Sequence, residues 1–214
     1  MIDHAQLVFL SKAFIALLAI ANPLAAVPLL LTMTRGDSRE LRRKAARRCA
    51  LAIAVILVSS AWIGVYILQG FGIGIPAFRA GGGILIILMA LAMLHAKTSS
   101  AKQTPDELVA ALEKEDIAIV PLATPLIVGP GAISLTISLA QQSPQMSEKL
   151  MLTGVLIAVT AVIWLVLHLS GAIARVLGPT GLNISTRIMG MLLIAIGVQM
   201  VAEGAKALLP GLAS

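Results

Sequence analysis

Charge, aromatic rings and cysteine are all scarce in this sequence. Of 214 residues, 12% are charged and 3% aromatic, whereas a soluble domain carries about 25% charged residues. The one cysteine, Cys49, excludes an internal disulfide and argues against a metal cluster. No P-loop is present, which excludes ATP hydrolysis by that route. Gly70-Phe71-Gly72-Ile73-Gly74 lies between apolar runs and reads as a turn, not a dinucleotide fingerprint. No Ser/His/Asp constellation and no metal-ligand spacing occurs, so neither an enzyme nor a bound cofactor is expected. Acids at membrane depth, which a proton relay needs, are also missing. Glu203 and His95 lie near opposite ends of apolar runs, and Lys12 lies near an end where it can snorkel. Side chains therefore do not support proton coupling. Sodium held by carbonyls and hydroxyls stays open as a coupling ion.

What fills the chain instead is apolar. Hydrophobic residues make up 58% of it, with a mean hydropathy of +0.97. A helix crosses a bilayer with roughly 20 apolar residues. Six runs qualify, at about 7–33, 47–70, 79–96, 117–141, 150–173 and 187–209. The expected fold is an all-α membrane protein of six transmembrane helices. The first run has only Lys12 as a positive charge and no cleavage-like end, so it reads as a span and not a signal peptide.

The net charge of +6 does not point to nucleic acid, because the basic residues cluster at span ends. Arg35, Arg39, Arg42, Arg43, Lys44, Arg47 and Arg48 sit between spans one and two. The positive-inside rule puts that loop in the cytoplasm. Alternation then places Lys97, Lys102, Lys114, Arg175 and Arg187 inside too, twelve of the sixteen basic residues. Both termini are expected outside. The Arg35–Arg48 stretch also suits contact with anionic lipid. Trp62 and Tyr66 read as interface anchors, and Trp164 as packing.

The most informative motif occurs twice. Asn22-Pro23-Leu24-Ala25 lies in the first span, and Thr124-Pro125-Leu126-Ile127-Val128-Gly129-Pro130-Gly131 in the fourth. Proline lacks an N–H and clashes with the carbonyl four residues back. It also pushes the preceding residue out of helical geometry. Asn and Thr are N-cap residues, and proline suits the first helical position. Each motif therefore predicts the end of one half-helix and the start of another, capped by Asn22 or Thr124. Broken backbone at membrane depth is tolerated where it is buried in protein or lines a cavity. Paired breaks in two halves of a chain point to a transporter's binding site. The new N-termini suit a carboxylate, and the ended half-helices offer carbonyls to an ammonium or small cation. Gly129-Pro130-Gly131 adds a second irregularity, followed by Ser134, Thr136 and Ser138.

A second pairing supports two homologous halves. Arg79-Ala80-Gly81-Gly82-Gly83-Ile84-Leu85-Ile86 and Arg187-Ile188-Met189-Gly190-Met191-Leu192-Leu193-Ile194 share Arg-x-x-Gly-x-(Ile/Leu)-Leu-Ile. With three spans per half, the halves are inverted repeats, 1–96 and 117–214. Between them lies a cytoplasmic loop, 97–116, whose Thr104-Pro105-Asp106-Glu107 is a helix-start signal. The glycines Gly81–Gly83 and Gly190 read as helix packing. Gln199, at mid-depth in span six, either faces the cavity or bonds a neighbouring helix.

The segments ANPLAAVPLLL, RAGGGILIILMALAML, VPLATPLIVGPGAISL and RIMGMLLIAIGVQM resemble those of the MarC family of bacterial and archaeal membrane proteins. The resemblance spans essentially the whole chain. It implies two inverted triplets with broken segments meeting at the centre, and transport of small neutral amino acids such as glycine and alanine. It carries Asn22, Pro23, Thr124, Pro125, Gly129, Pro130 and Gly131 over as core positions. Many relatives have glycine or threonine where this chain has Ala25. A small site lined by Ala25, Val27, Val128 and Gly129 favours short side chains. The expected function is a secondary transporter of small neutral amino acids by alternating access. The rivals are an exporter of another small solute or drug, a channel, and a non-transporting membrane scaffold.

Overall fold

The computed structural model describes residues 3–34, 38–94, 127–209 and 211. The described residues form helices: α1 (His4–Ala21), α2 (Pro23–Met33), α3 (Arg39–Gly70), α4 (Ile75–Leu94), α5 (Pro130–Gln141), α6 (Met146–His168) and α7 (Ser170–Leu208). Five segments among the described residues are long and apolar enough to cross a membrane, with α1 and α2 counted together as one. The expected loop 97–116, with its Thr104 start signal, and His95 lie outside the described residues. So does the first part of the fourth span.

The surface is built for lipid. Val55, Ile63, Leu88, Ile188 and Met191 all stand exposed on the outward faces of their helices. A soluble protein scatters such residues singly, whereas here they cover every long helix. The interior is one cluster of small and aliphatic side chains. It runs from Ala13, Leu17 and Leu30 through Ile53 and Leu57 to Leu156, Ile163 and Leu193.

Ser38 starts α3 ahead of the expected span at 47–70, its hydroxyl accepting from the Leu41 N–H at 3.2 Å. The helix has 32 residues and is about 48 Å long at 1.5 Å per residue. That exceeds the roughly 30 Å hydrocarbon core, so its arginine-rich start projects beyond it.

Span five differs from its expected range, 150–173. Helix α6 stops at His168, and Leu169 separates it from α7. Within α7 the helical path breaks at Gly178, at φ 60° and ψ 177°. Glycine adopts that conformation freely, and Pro179 after it cannot donate to the preceding turn. The stretch Ser170–Leu177 is therefore a short helix of its own direction. Trp164, expected to pack inside, is 38% exposed. Its ring lies against that of His168 one turn further along, with centroids 5.2 Å apart and the planes tilted by 44°. Trp62 anchors α3 to α6, its indole N–H donating to Thr153 Oγ1 at 3.1 Å.

The tightest packing joins α4 to α7. A Cβ on Gly83 would lie 2.6 Å from the Gly197 carbonyl oxygen, and one on Gly204 would lie 2.6 Å from the Pro76 carbonyl oxygen. A Cβ on Gly190 would meet the Ala90 carbonyl oxygen at 3.2 Å. These pairings run in opposite directions along the two helices, so α4 and α7 are antiparallel. Their backbones meet at a distance only glycine permits.

Candidate functional site

The first proline motif divides α1 from α2 in the core of the bundle. Helix α1 ends with the Asn22 N–H donating to the Leu18 carbonyl at 3.0 Å. Asn22 then takes φ 37° and ψ 64°, and among the described residues no other non-glycine residue has positive φ. Asparagine visits this left-handed region because its short polar side chain bonds locally. Pro23 opens α2 directly afterwards.

The role of Asn22 differs from the expected N-cap. An N-cap residue is extended and its side chain accepts from the new helix. Here the side chain makes no cap hydrogen bond to α2. Asn22 instead terminates α1 in the left-handed manner usual at helix C-termini. Its amide is left over for other work. Nδ2 approaches Met93 Sδ of α4 at 4.0 Å, and Oδ1 is buried with no partner. Asn22 is 6% exposed. An unpaired buried acceptor costs about 1–3 kcal/mol, so it calls for a ligand or a function.

Around it, Pro23 is buried, while Leu24 and Ala25 are half-buried. Pro28 lies inside α2, and at the helix's far end Thr34 accepts a hydrogen bond from Arg42 Nε at 3.0 Å.

Of the second motif, Thr124 and Pro125 lie outside the described residues. Gly129 is the extended N-cap of α5, at φ −80° and ψ 178°, with Pro130 in its first turn. Helix α5 begins at Pro130, so the Gly-Pro-Gly irregularity marks its start. Gly129 and Gly131 are buried and Pro130 is exposed. A Cβ on Gly131 would overlap the Ile86 side chain of α4. The residues flanking both motifs share one cluster. Ala21 and Ala26 stand beside Asn22-Pro23, and Ile127, Val128 and Ala132 stand beside Gly129-Pro130. The described flanks of both motifs thus belong to one core.

The hydroxyls of α5 are buried but occupied. Ser134 Oγ donates to the Phe78 carbonyl at 3.1 Å, and Thr136 Oγ1 to the Ala132 carbonyl at 2.7 Å. Ser138 Oγ accepts from Arg79 Nε at 3.3 Å.

Gln199 is not brought to this region. It stands exposed on α7, and its Nε2 donates to Glu203 Oε1 at 2.9 Å. Glu203 in turn accepts from Arg79 Nη1 at 3.2 Å. Arg79, Glu203, Gln199 and Ser138 thus tie α4, α5 and α7 together at the end of the molecule opposite the α3 arginines. Sequence reasoning did not join them. The available signal was the Arg79 and Arg187 segments themselves. If their helices pair antiparallel, the start of one meets the end of the other, which sets Arg79 beside Glu203.

Two cavities lie away from Asn22 and Gly129. One of about 220 Å³ lies between the start of α1 and the α5–α6 turn, lined by Gln6, Phe9, Ser143 and Glu148 among others. The other, of about 600 Å³, lies at the arginine-rich end. Among the described residues no group of three His, Cys, Asp or Glu is placed to hold a metal ion.

The MarC integral membrane protein family model matches residues 7–209. The chain belongs to the MarC family. The membrane protein YhcE of Escherichia coli (strain K12) is 38% identical over 204 residues, covering 94% of each chain. The membrane protein YvbG of Bacillus subtilis (strain 168) is 36% identical over 207 residues, covering 96% of this chain and 98% of the relative. A membrane protein of Aquifex aeolicus is 38% identical over 198 residues, covering 92% of each. No solved structure matches this chain. As a MarC family member it is an integral, multi-pass membrane protein.

Proposed function

We propose that this MarC family member is a secondary transporter of small neutral amino acids, working by alternating access between two inverted repeats. It has no enzymatic activity, and it sits in the bacterial cytoplasmic membrane with both termini outside. The observation that carries the reading is Asn22. It is a buried amide, broken out of a membrane helix, with Oδ1 unpaired. A helix break at this depth frees backbone groups as well as the side chain. An amide acceptor beside a helix N-terminus suits a zwitterion: the ammonium binds oxygen, and the carboxylate binds N–H groups. The small, half-buried Ala25 beside it suits a substrate with a short side chain.

The packing pattern supports the inverted repeat. Helix α2 packs on α6 and α7, and α5 packs on α3 and α4. Exchanging α2 with α5, α3 with α6 and α4 with α7 turns one set of contacts into the other. Rocking of one half against the other would then expose Asn22 to each side in turn.

A counterflow screen in proteoliposomes tests this reading, because only accepted substrates exchange across the membrane. Glycine, alanine and serine are expected to exchange, and Asn22→Ala and Thr124→Ala are expected to lower that exchange with membrane insertion intact. Unchanged exchange in both variants would defeat the site assignment. Running the screen with and without sodium or proton gradients identifies the coupling ion. A second reading, a non-transporting scaffold, takes Asn22, 6% exposed, as packed in the core. That reading predicts no saturable exchange of any small solute.

A further inference from the structure

The larger cavity, of about 600 Å³, is lined on one side by Leu31 of α2 and by Arg39, Arg42 and Arg43 of α3. On the other side stand His168 of α6 and Arg175 of α7. Its volume is that of a small-molecule site. Among the described residues the ion pair present is Arg79 with Glu203, so no described acid neutralises these four guanidiniums. Two of them are already positioned. Arg42 Nε donates to Thr34 Oγ1 at 3.0 Å, and Arg175 Nε donates to the Gly171 carbonyl at 3.1 Å. Their remaining N–H groups are free for a further acceptor. Arg42 reaches across the cavity, since a Cβ on Gly171 would stand 3.5 Å from its Nη1.

Four converging guanidiniums call for an anion with several oxygens. Arginine's planar fork matches phosphate, donating two parallel N–H bonds. The rim indicates where that phosphate comes from. Leu41, Leu169 and Val176 beside the arginines are 52%, 44% and 86% exposed. Cationic groups next to exposed aliphatic side chains, at the end of a membrane bundle, match the headgroup and upper acyl chain of a phospholipid.

We propose that this cavity binds the phosphate of an anionic phospholipid, held between Arg39, Arg42 and Arg43 on one wall and Arg175 on the other. Because Arg42 also holds Thr34 at the end of α2, the bound lipid would tie the α2–α3 corner to the α6–α7 corner. The proposal is independent of what the centre of the molecule transports.

Thermal unfolding of the purified full-length protein in detergent tests it, with phosphatidylglycerol, phosphatidylcholine or inorganic phosphate added in separate arms. Arg39→Gln/Arg43→Gln removes two wall residues. Arg47→Gln/Arg48→Gln removes the same charge from exposed positions of α3 that do not line the cavity. Phosphatidylglycerol is expected to raise the melting temperature of the wild type and the second variant. In the first variant half-saturation should need roughly 30-fold more lipid, at about 1 kcal/mol per arginine. Should the first variant not fold, Arg175→Gln on the opposite wall serves in its place. An arginine-dependent response to inorganic phosphate alone would support the site with the free anion as its ligand. Equal responses in the two double variants, or none to either ligand, would overturn the proposal. So would a response seen only after Asp106, Glu107, Glu113, Glu115 and Asp116 are neutralised, which would assign the pocket to the chain's own acidic stretch.

Discussion

Helices α2 and α5 are the two short helices that follow the proline motifs, and their polarity is reversed from what their starts suggest. Helix α5 carries three buried hydroxyls, Ser134, Thr136 and Ser138, yet each has a hydrogen-bond partner. Helix α2 is apolar along its buried face, yet it starts at an amide whose oxygen has none. The difference is geometric. A serine or threonine within a helix can return its hydrogen to a carbonyl one turn back, as Thr136 does. Asn22 Oδ1 can only accept, so it needs an N–H or O–H donor from elsewhere, and none reaches it. The number of polar residues therefore does not single out either helix start; what sets Asn22 apart from the α5 hydroxyls is its unpaired oxygen.

The largest expected effect tests that difference directly. Asn22→Ala should lower glycine and alanine uptake roughly tenfold or more, the worth of one buried hydrogen bond to substrate. Thr136→Val, which removes an occupied hydroxyl, should leave uptake within about twofold. Equal losses from the two substitutions would break the contrast, and uptake in proteoliposomes measures both.

Next in size is packing. Gly83→Ala places a Cβ against the Gly197 carbonyl, and backbone on both sides prevents easy relief. It should destabilise the protein by about 1–3 kcal/mol, read as a lower melting temperature in detergent. Gly81→Ala meets nothing within 4 Å and should melt with the wild type. If the two variants melt together, the close approach of α4 and α7 is not what holds them.

Smaller still is the anchor at the end of α5. Glu203→Gln removes the ion pair with Arg79 but leaves Arg79 bound to Ser138. Glu203 is 47% exposed in its side chain, so the expected loss is about 0.2–1 kcal/mol and should shrink in high salt. A larger, salt-independent loss would show that the pair is shielded from water in the membrane.

The break at Asn22-Pro23 was legible in the sequence because proline's missing N–H acts locally, whatever surrounds it. The start of α3 is equally local in origin, the Ser38 hydroxyl accepting from the Leu41 N–H. The conformation of Asn22 was not. Both an extended N-cap and a left-handed C-cap are open to asparagine, and the packing of α1 and α2 in the core selects between them. Gln199 shows the other limit. Its depth in span six was readable, but whether it faced inward depended on the rotation of α7. That rotation is set where Gly83, Gly197 and Gly204 bring α4 and α7 together, leaving Gln199 on the exposed side with Glu203. The arginine cavity needed the fold in a stronger sense, since Arg42 and Arg175 are 133 positions apart in the numbering.

By itself the sequence determined that the chain folds into membrane-spanning helices and that one helix gives way to another at Asn22-Pro23. Those follow from hydropathy, length and proline stereochemistry, all of which act over a few residues. Only the tertiary structure decided which buried polar groups are satisfied and which are not. Satisfaction depends on partners from other helices, and those are fixed by packing.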